Sequence, residues 1–269
     1  MVLDRHADDC RTSRKIKYIK IMKLSISTKI FFSLVLVYVI LGATYVFLPA
    51  INTLPVSTQS LPAPKIVVAL VSFVAILVIY GGLGFVGLIL SRKIGFADVW
   101  EKKVTNKERF ITPAFVGLAL GVFFIVIDRL VSPFTLFGGL PHPAFPASLV
   151  ASVTAAVGEE TMFRLFFISF WVWLISHVIL KQRGKNVVFW IVAVWSAVAF
   201  SAGHLPSVMM MKGLATPSQI PPLVLGEIFL LNSALSIPAA YFFRKNGILA
   251  AMGIHFWADV IWHVVYGLI

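Results

Sequence analysis

The sequence predicts an all-α fold, a polytopic bundle of seven transmembrane helices, with an eighth left open by one overlong run. Three observations carry this. Of the 269 residues, 59% are hydrophobic and the mean hydropathy is +0.93, which leaves too little polar surface for a soluble domain. The apolar residues gather into seven runs near the roughly 20-residue length that a bilayer-crossing helix needs. The Lys and Arg residues fall almost entirely between those runs, where orientation signals belong.

Residues 1–29 are polar and basic, with Arg5, Arg11, Arg14, Lys15, Lys17, Lys20, Lys23 and Lys29. They are expected to form a cytoplasmic tail, either lying on anionic lipid in its later half or serving as a basic arm that sets orientation. The integral membrane domain follows over residues 30–269. Its runs are Ile30–Pro49, Ile66–Leu90, Ile111–Val131, Ala147–Leu180, Val187–Leu205, Ile220–Phe243 and Ile248–Ile269. Ala147–Leu180 exceeds one upright crossing, so it tilts, protrudes or breaks into two segments.

The connection Ser91–Phe110 carries Arg92, Lys93, Lys102, Lys103, Lys107 and Arg109. It reads as a short helix on the cytoplasmic surface with Ile94, Phe96, Val99 and Trp100 turned toward lipid. The alternate connections, Ala50–Lys65 and Ser132–Pro146, are rich in Pro with Ser or Gly and read as outer loops. Of the 23 Lys and Arg residues, 19 fall on the tail side, 2 on the other (Lys65 and Lys212), and Arg129 and Arg164 within runs. That split predicts a cytoplasmic N-terminus and, with seven crossings, an external C-terminus.

Composition also excludes. The net charge of +12 is not arranged as a basic patch among aromatics, so no nucleic-acid partner is expected. The single Cys10 rules out an internal disulfide and a cysteine metal cluster, and its place in the tail argues against a thiol nucleophile. No internal repeat is visible, which weighs against inverted-repeat transporters. Gly117 and Gly121 form a small-xxx-small pair that predicts close helix packing.

Chemistry enters with Gly158-Glu159-Glu160-Thr161-Met162-Phe163-Arg164, three charges inside an apolar run. A charge near the bilayer centre costs about 2.5–3.5 kcal/mol on insertion scales, so such residues mark a functional site by default. Glu160 and Arg164 are four apart and share a helix face, whereas Glu159 is rotated by about 100°. One carboxylate is thus held by Arg and the other left free. His204 ends Phe200-Ser201-Ala202-Gly203-His204, and His255 lies four residues before Asp259. His263 extends that stripe by a turn, as a bystander or supporting group. A carboxylate with a His can position a water and take its proton, while a second His stabilises an oxyanion. The same side chains could bind a metal ion or relay protons in an ion-coupled transporter.

Glu-Glu-x-x-x-Arg, then Phe-x-x-x-His, then His-x-x-x-Asp, in that order on separate apolar runs, resembles the CAAX-protease and bacteriocin-processing family (CPBP, also called Abi). That family includes the type II CAAX prenyl endopeptidases. The motifs cover Glu159 to Asp259, within a core of residues 147–269. The resemblance implies an intramembrane endopeptidase, multi-pass in a prokaryotic plasma membrane, cutting a peptide or protein substrate, lipid-modified or not, near the bilayer lipid. It implies Glu159 as general base with His204 holding the attacking water, Glu160 and Arg164 as a structural pair, and His255 with residue 259 at the oxyanion. Because the family also includes bacteriocin-immunity proteins, a non-enzymatic toxin-binding role is the competing implication, beside the transporter.

Two positions depart from the family pattern. Leu165 stands where Gly is frequent, and Asp259 where Asn is frequent. An ionised Asp cannot donate to an oxyanion, so Asp259 must be protonated or must orient His255. Metal use is open at this level; with His204, His255 and Glu160 as ligands, zinc would keep a fourth position for water. Helix arithmetic sets one tension. At about 1.5 Å per residue, His255 lies ~11 Å from the cytoplasmic end of its run and His204 ~26 Å from its own, so upright helices would keep them apart.

Overall fold

The computed structural model describes residues 24–48 and 63–269. The expectations for Cys10, for most of the tail and for most of the Ala50–Lys65 loop lie outside those residues. Among the described residues, seven helices are long and apolar enough to cross a membrane: α1 (Ile26–Phe47), α2 (Lys65–Lys93), α3 (Lys107–Phe134), α4 (Ala147–Ile179), α5 (Lys185–Lys212), α6 (Pro222–Asn246) and α7 (Ile248–Leu268). Among the described residues there is no strand. The chain is a multi-pass membrane protein whose outer faces show the apolar side chains that a lipid solvent requires, such as Leu36, Ile40, Val71, Val78 and Trp195.

Helix α1 begins four residues earlier than its apolar run, because Ser25 caps it by accepting a hydrogen bond from the Thr28 backbone N–H. The overlong fourth run is one helix of 33 residues with no second crossing, about 50 Å at 1.5 Å per residue against a hydrocarbon core of about 30 Å. Its turns widen to π-helical geometry over Glu160–Ile168, the stretch that carries the charges.

The connection between α2 and α3 corrects the expected surface helix. Its residues from Ile94 to Val104 are irregular, and Ile94, Phe96 and Val99 are buried in the main core rather than turned to lipid. Gly95, at φ +72°, stops α2 in a left-handed turn, with Phe96 N–H donating to Ser91 O and Gly95 N–H to Arg92 O. Phe96 then lies edge-on to Phe189 of α5 and Phe243 of α6. Arg109 anchors the far side of the segment, donating to the carbonyls of Glu101 and Val104 and stacking 4.0 Å from the centroid of Trp100.

Half of the apolar window of α7 is buried against 11% for α2, so α7 is an interior helix and α2 a peripheral one. Helix α3 packs along α7 at Gly117 and Gly121, where a β-carbon would collide with the Ile254 carbonyl and come within 2.8 Å of that of Ala258. The α6–α7 turn is buried on its α7 side, whereas Lys245 just before it is exposed. Ile248 is 1% exposed, and Gly247 packs on the Asp98 carbonyl beneath the irregular segment. Helix α5 instead starts among exposed residues and is interrupted at His204, between Lys185–Gly203 and Leu205–Lys212, where Pro206 cannot donate to the preceding turn. The buried start of α7 and the break in α5 resolve the depth mismatch that upright helices imposed on His204 and His255.

Candidate active site

The two neighbouring carboxylates of α4 have different surroundings. Glu160 is fully buried, its Oε2 3.1 Å from Arg164 Nε and its Oε1 2.9 Å from His255 Nδ1. Arg164 is also fully buried, and its guanidinium lies 4.5 Å from the centroid of Phe200. Glu160 therefore ties α4 to α7, and Arg164 ties α4 to α5. Burial of an ion pair is tolerable only with partners of this kind, because desolvation of each charge costs several kcal/mol.

One residue earlier, the Glu159 side chain is 33% exposed. Its Oε2 lies 3.8 Å from His204 Nε2 and 3.8 Å from His255 Nε2. Both rings are held from behind. His204 Nδ1 is 2.8 Å from the Phe200 carbonyl, so it carries the proton and donates, leaving the Nε2 lone pair toward Glu159. His255 Nδ1 faces Glu160, which turns its Nε2 toward Glu159 and toward Asp259 Oδ2 at 3.5 Å. Phe200 packs edge-on against both imidazoles.

These groups sit at the floor of a cavity of about 230 Å³. Glu159, His204, His255, Asp259 and His263 line it, with apolar walls that include Phe124, Val208, Ile228, Leu231, Leu235 and Trp262. The volume accommodates several waters, each with a liquid share of about 30 Å³. A separation of 3.8 Å is too long for a hydrogen bond, but a water off that line can sit about 2.8 Å from both Glu159 Oε2 and His204 Nε2.

Glu159, His204, His255 and Asp259, drawn from three apolar runs, converge on one space, and Glu160 and Arg164 lie behind it. The zinc set of His204, His255 and Glu160 does not fit. Glu160 has no exposed surface, and its two oxygens face His255 and Arg164. Among the described residues no group of three or more His, Cys, Asp or Glu side chains is arranged to hold a metal ion.

Sequence reasoning missed other residues around the cavity. His142, in the Pro141-His142-Pro143 loop, brings its Nδ1 to 3.1 Å from His263 Nδ1 and its ring against Trp262 and Tyr266. A lone loop His carries no periodic signal. Asn232 lines the cavity from α6, and a polar residue inside an apolar run was a readable signal. So were Asp128 and Glu227, 1% and 4% exposed. Asp128 accepts from the Leu140 N–H and from Tyr266 Oη, both at 2.8 Å, which fastens the loop before α4 to α3 and α7. Burial pushes the His142 ring below the ordinary His value, with Asp128 pulling the other way.

Residues 141–261 match a family model described as type II CAAX prenyl endopeptidase Rce1-like. The matched segment begins in the loop over the cavity and contains Glu159, Glu160, Arg164, His204, His255 and Asp259. No curated protein and no solved structure matches the chain. Over residues 141–261, this multi-pass membrane chain is similar to the type II CAAX prenyl endopeptidase Rce1-like family.

Proposed function

We propose that the chain is an intramembrane endopeptidase that hydrolyses a peptide bond with a water activated by Glu159 and His204. The observation that carries this reading is the convergence of one buried carboxylate oxygen of the partly exposed Glu159 side chain on the Nε2 atoms of two histidines, each 3.8 Å away, at the floor of the cavity. The water donates one proton toward Glu159 and the other toward the His204 Nε2 lone pair. Its oxygen attacks the scissile carbonyl carbon as Glu159 takes the proton. His255, with Nδ1–H given to Glu160, offers Nε2–H to the oxyanion when the ring is charged, and a protonated Asp259 adds a second donor. Collapse of the tetrahedral species breaks the C–N bond. The proton on Glu159 passes to the leaving nitrogen, so water and peptide become a carboxylic acid and an amine.

The structure favours a donor role for Asp259 over an orienting one. Glu160 fixes the His255 ring from its Nδ1 side, so Asp259, near Nε2, is not required for that orientation. The reading is tested on purified protein in detergent with a quenched fluorescent peptide library rich in Leu, Phe and Val, comparing wild type with Glu159→Gln, each with and without chelator. Cleavage by wild type alone, unaffected by chelator, is the expected result. Equal signal from both proteins removes the hydrolytic reading, and loss on chelation replaces the water-only mechanism with a metal-assisted one.

A further inference from the structure

We infer that the active-site cavity is entered from the non-cytoplasmic side of the membrane, so that its substrate is an apolar peptide segment presented at that face. The substrate half of this inference rests on the hydrolytic reading above; the sidedness does not.

The two ends of the bundle are fixed by contacts. At one end, Arg92 donates to Ser25 Oγ at the start of α1, and Trp100 N–H donates to Ser27 Oγ. At the same end Lys185 Nζ donates to the Ile94 carbonyl, Arg244 donates to Asn186 Oδ1, and Ala97 N–H donates to the Arg244 carbonyl. At the opposite end, Lys212 Nζ donates to the Phe137 carbonyl, joining the α5–α6 connection to the α3–α4 loop. The cavity belongs to this second end. Its lining comes from the loop Leu140–Pro143, the first turns of α4, the last turn of α5, the first half of α6 and the second half of α7. Ser207, on its rim, is exposed. Along α4, Glu159 lies ~18 Å from the residue that starts the helix at this end and ~30 Å from the residue that ends it at the other, at about 1.5 Å per residue.

Charge then assigns a side to each end. Arg92, Lys93, Lys102, Lys103, Lys181, Arg183 and Lys185 cluster with Arg244 and Lys245 at the first end, whereas the cavity end carries Lys65, Arg129 and Lys212. Basic connections stay cytoplasmic, so the cavity end faces outward. The walls of Val208, Met211, Ile228, Leu231 and Leu235 select apolar side chains. A segment reaching them from outside is an exported peptide or the outward end of a membrane-inserted one.

The test uses the full chain with Cys10→Ser, carrying either Ser207→Cys on the rim or Lys181→Cys at the basic end, in right-side-out and inverted vesicles from a bacterial host. Both thiols are first shown to react in detergent. A membrane-impermeant maleimide is expected to label Ser207→Cys only in right-side-out vesicles and Lys181→Cys only in inverted ones. The reverse pattern, or labelling of both positions from one side, overturns the inference. In parallel, an impermeant, charge-tagged version of the Leu-, Phe- and Val-rich quenched peptides is expected to be cut by right-side-out vesicles, with loss in Glu159→Gln. Cleavage by inverted vesicles alone also overturns it. The expected labelling with no cleavage, even in detergent, leaves the entry side standing and removes the hydrolytic reading.

Discussion

Glu159 and Glu160 share a helix turn, yet the first is one-third exposed in a cavity and the second is sealed between Arg164 and His255. Their substitutions should therefore fail differently. Glu160→Gln or Arg164→Ala leaves a buried partner uncompensated, which costs about 3–5 kcal/mol. Purified yield and thermal midpoint should fall for both, while Glu159→Gln keeps the wild-type midpoint. Equal destabilisation by Glu159→Gln would contradict this division of labour. Asp259 gives a second contrast. Its carboxyl lies 3.5 Å from His255 Nε2, and an amide at 259 can still donate to an oxyanion. Asp259→Asn should retain turnover, whereas Asp259→Ala should lose about 10²–10³-fold in kcat, the range for removal of one oxyanion donor. A folded but inactive Asp259→Asn would show that the carboxylate itself is needed.

At the scale of elements, the apolar runs and the i, i+4 spacings were legible, because periodicity is written in the sequence. The irregular segment from Ile94 to Val104 was not. Phe96, Val99 and Trp100 have the spacing of one face of a surface helix, but the burial of Phe96 depends on Phe189 and Phe243, far along the chain. The same tertiary packing buries the start of α7 and brings His255 to the depth of His204, which helix arithmetic could not foresee. Close packing of α3 on α7 yields a stability prediction. Gly121→Val places branched carbons against Ile261 and the Ala258 carbonyl, and overpacking of this kind costs about 1–3 kcal/mol. A thermal midpoint equal to wild type would disprove the close approach. The loop holding His142 carries a pH dependence. Its folded ring resists protonation through burial, whereas the unfolded chain takes up the proton near pH ~6.5. This contribution to stability is complete above that pH and is lost as pH falls below it. Between neutral and mildly acidic buffer, the thermal midpoint of wild type should drop more than that of His142→Gln. Parallel curves would remove His142 as the source.

For the whole molecule, the seven crossings and the three-motif constellation could be read from the chain alone, because intramembrane charges are costly and therefore conspicuous. The contact of the loop with the lining residue His263 could not, since His142 comes from that loop and meets His263 only after folding. Asp128 was visible as a charge within a run, but its role as the loop anchor required the fold. The central claim is that Glu159 activates the water that cuts a peptide. Its most direct measurement is peptide hydrolysis by purified wild type beside Glu159→Gln, with the thermal midpoints of both proteins recorded in the same preparations. The account predicts that wild type releases a new amino terminus and that Glu159→Gln, with an unchanged midpoint, releases none. An equally stable Glu159→Gln protein that cuts the same peptides at the wild-type rate would contradict it.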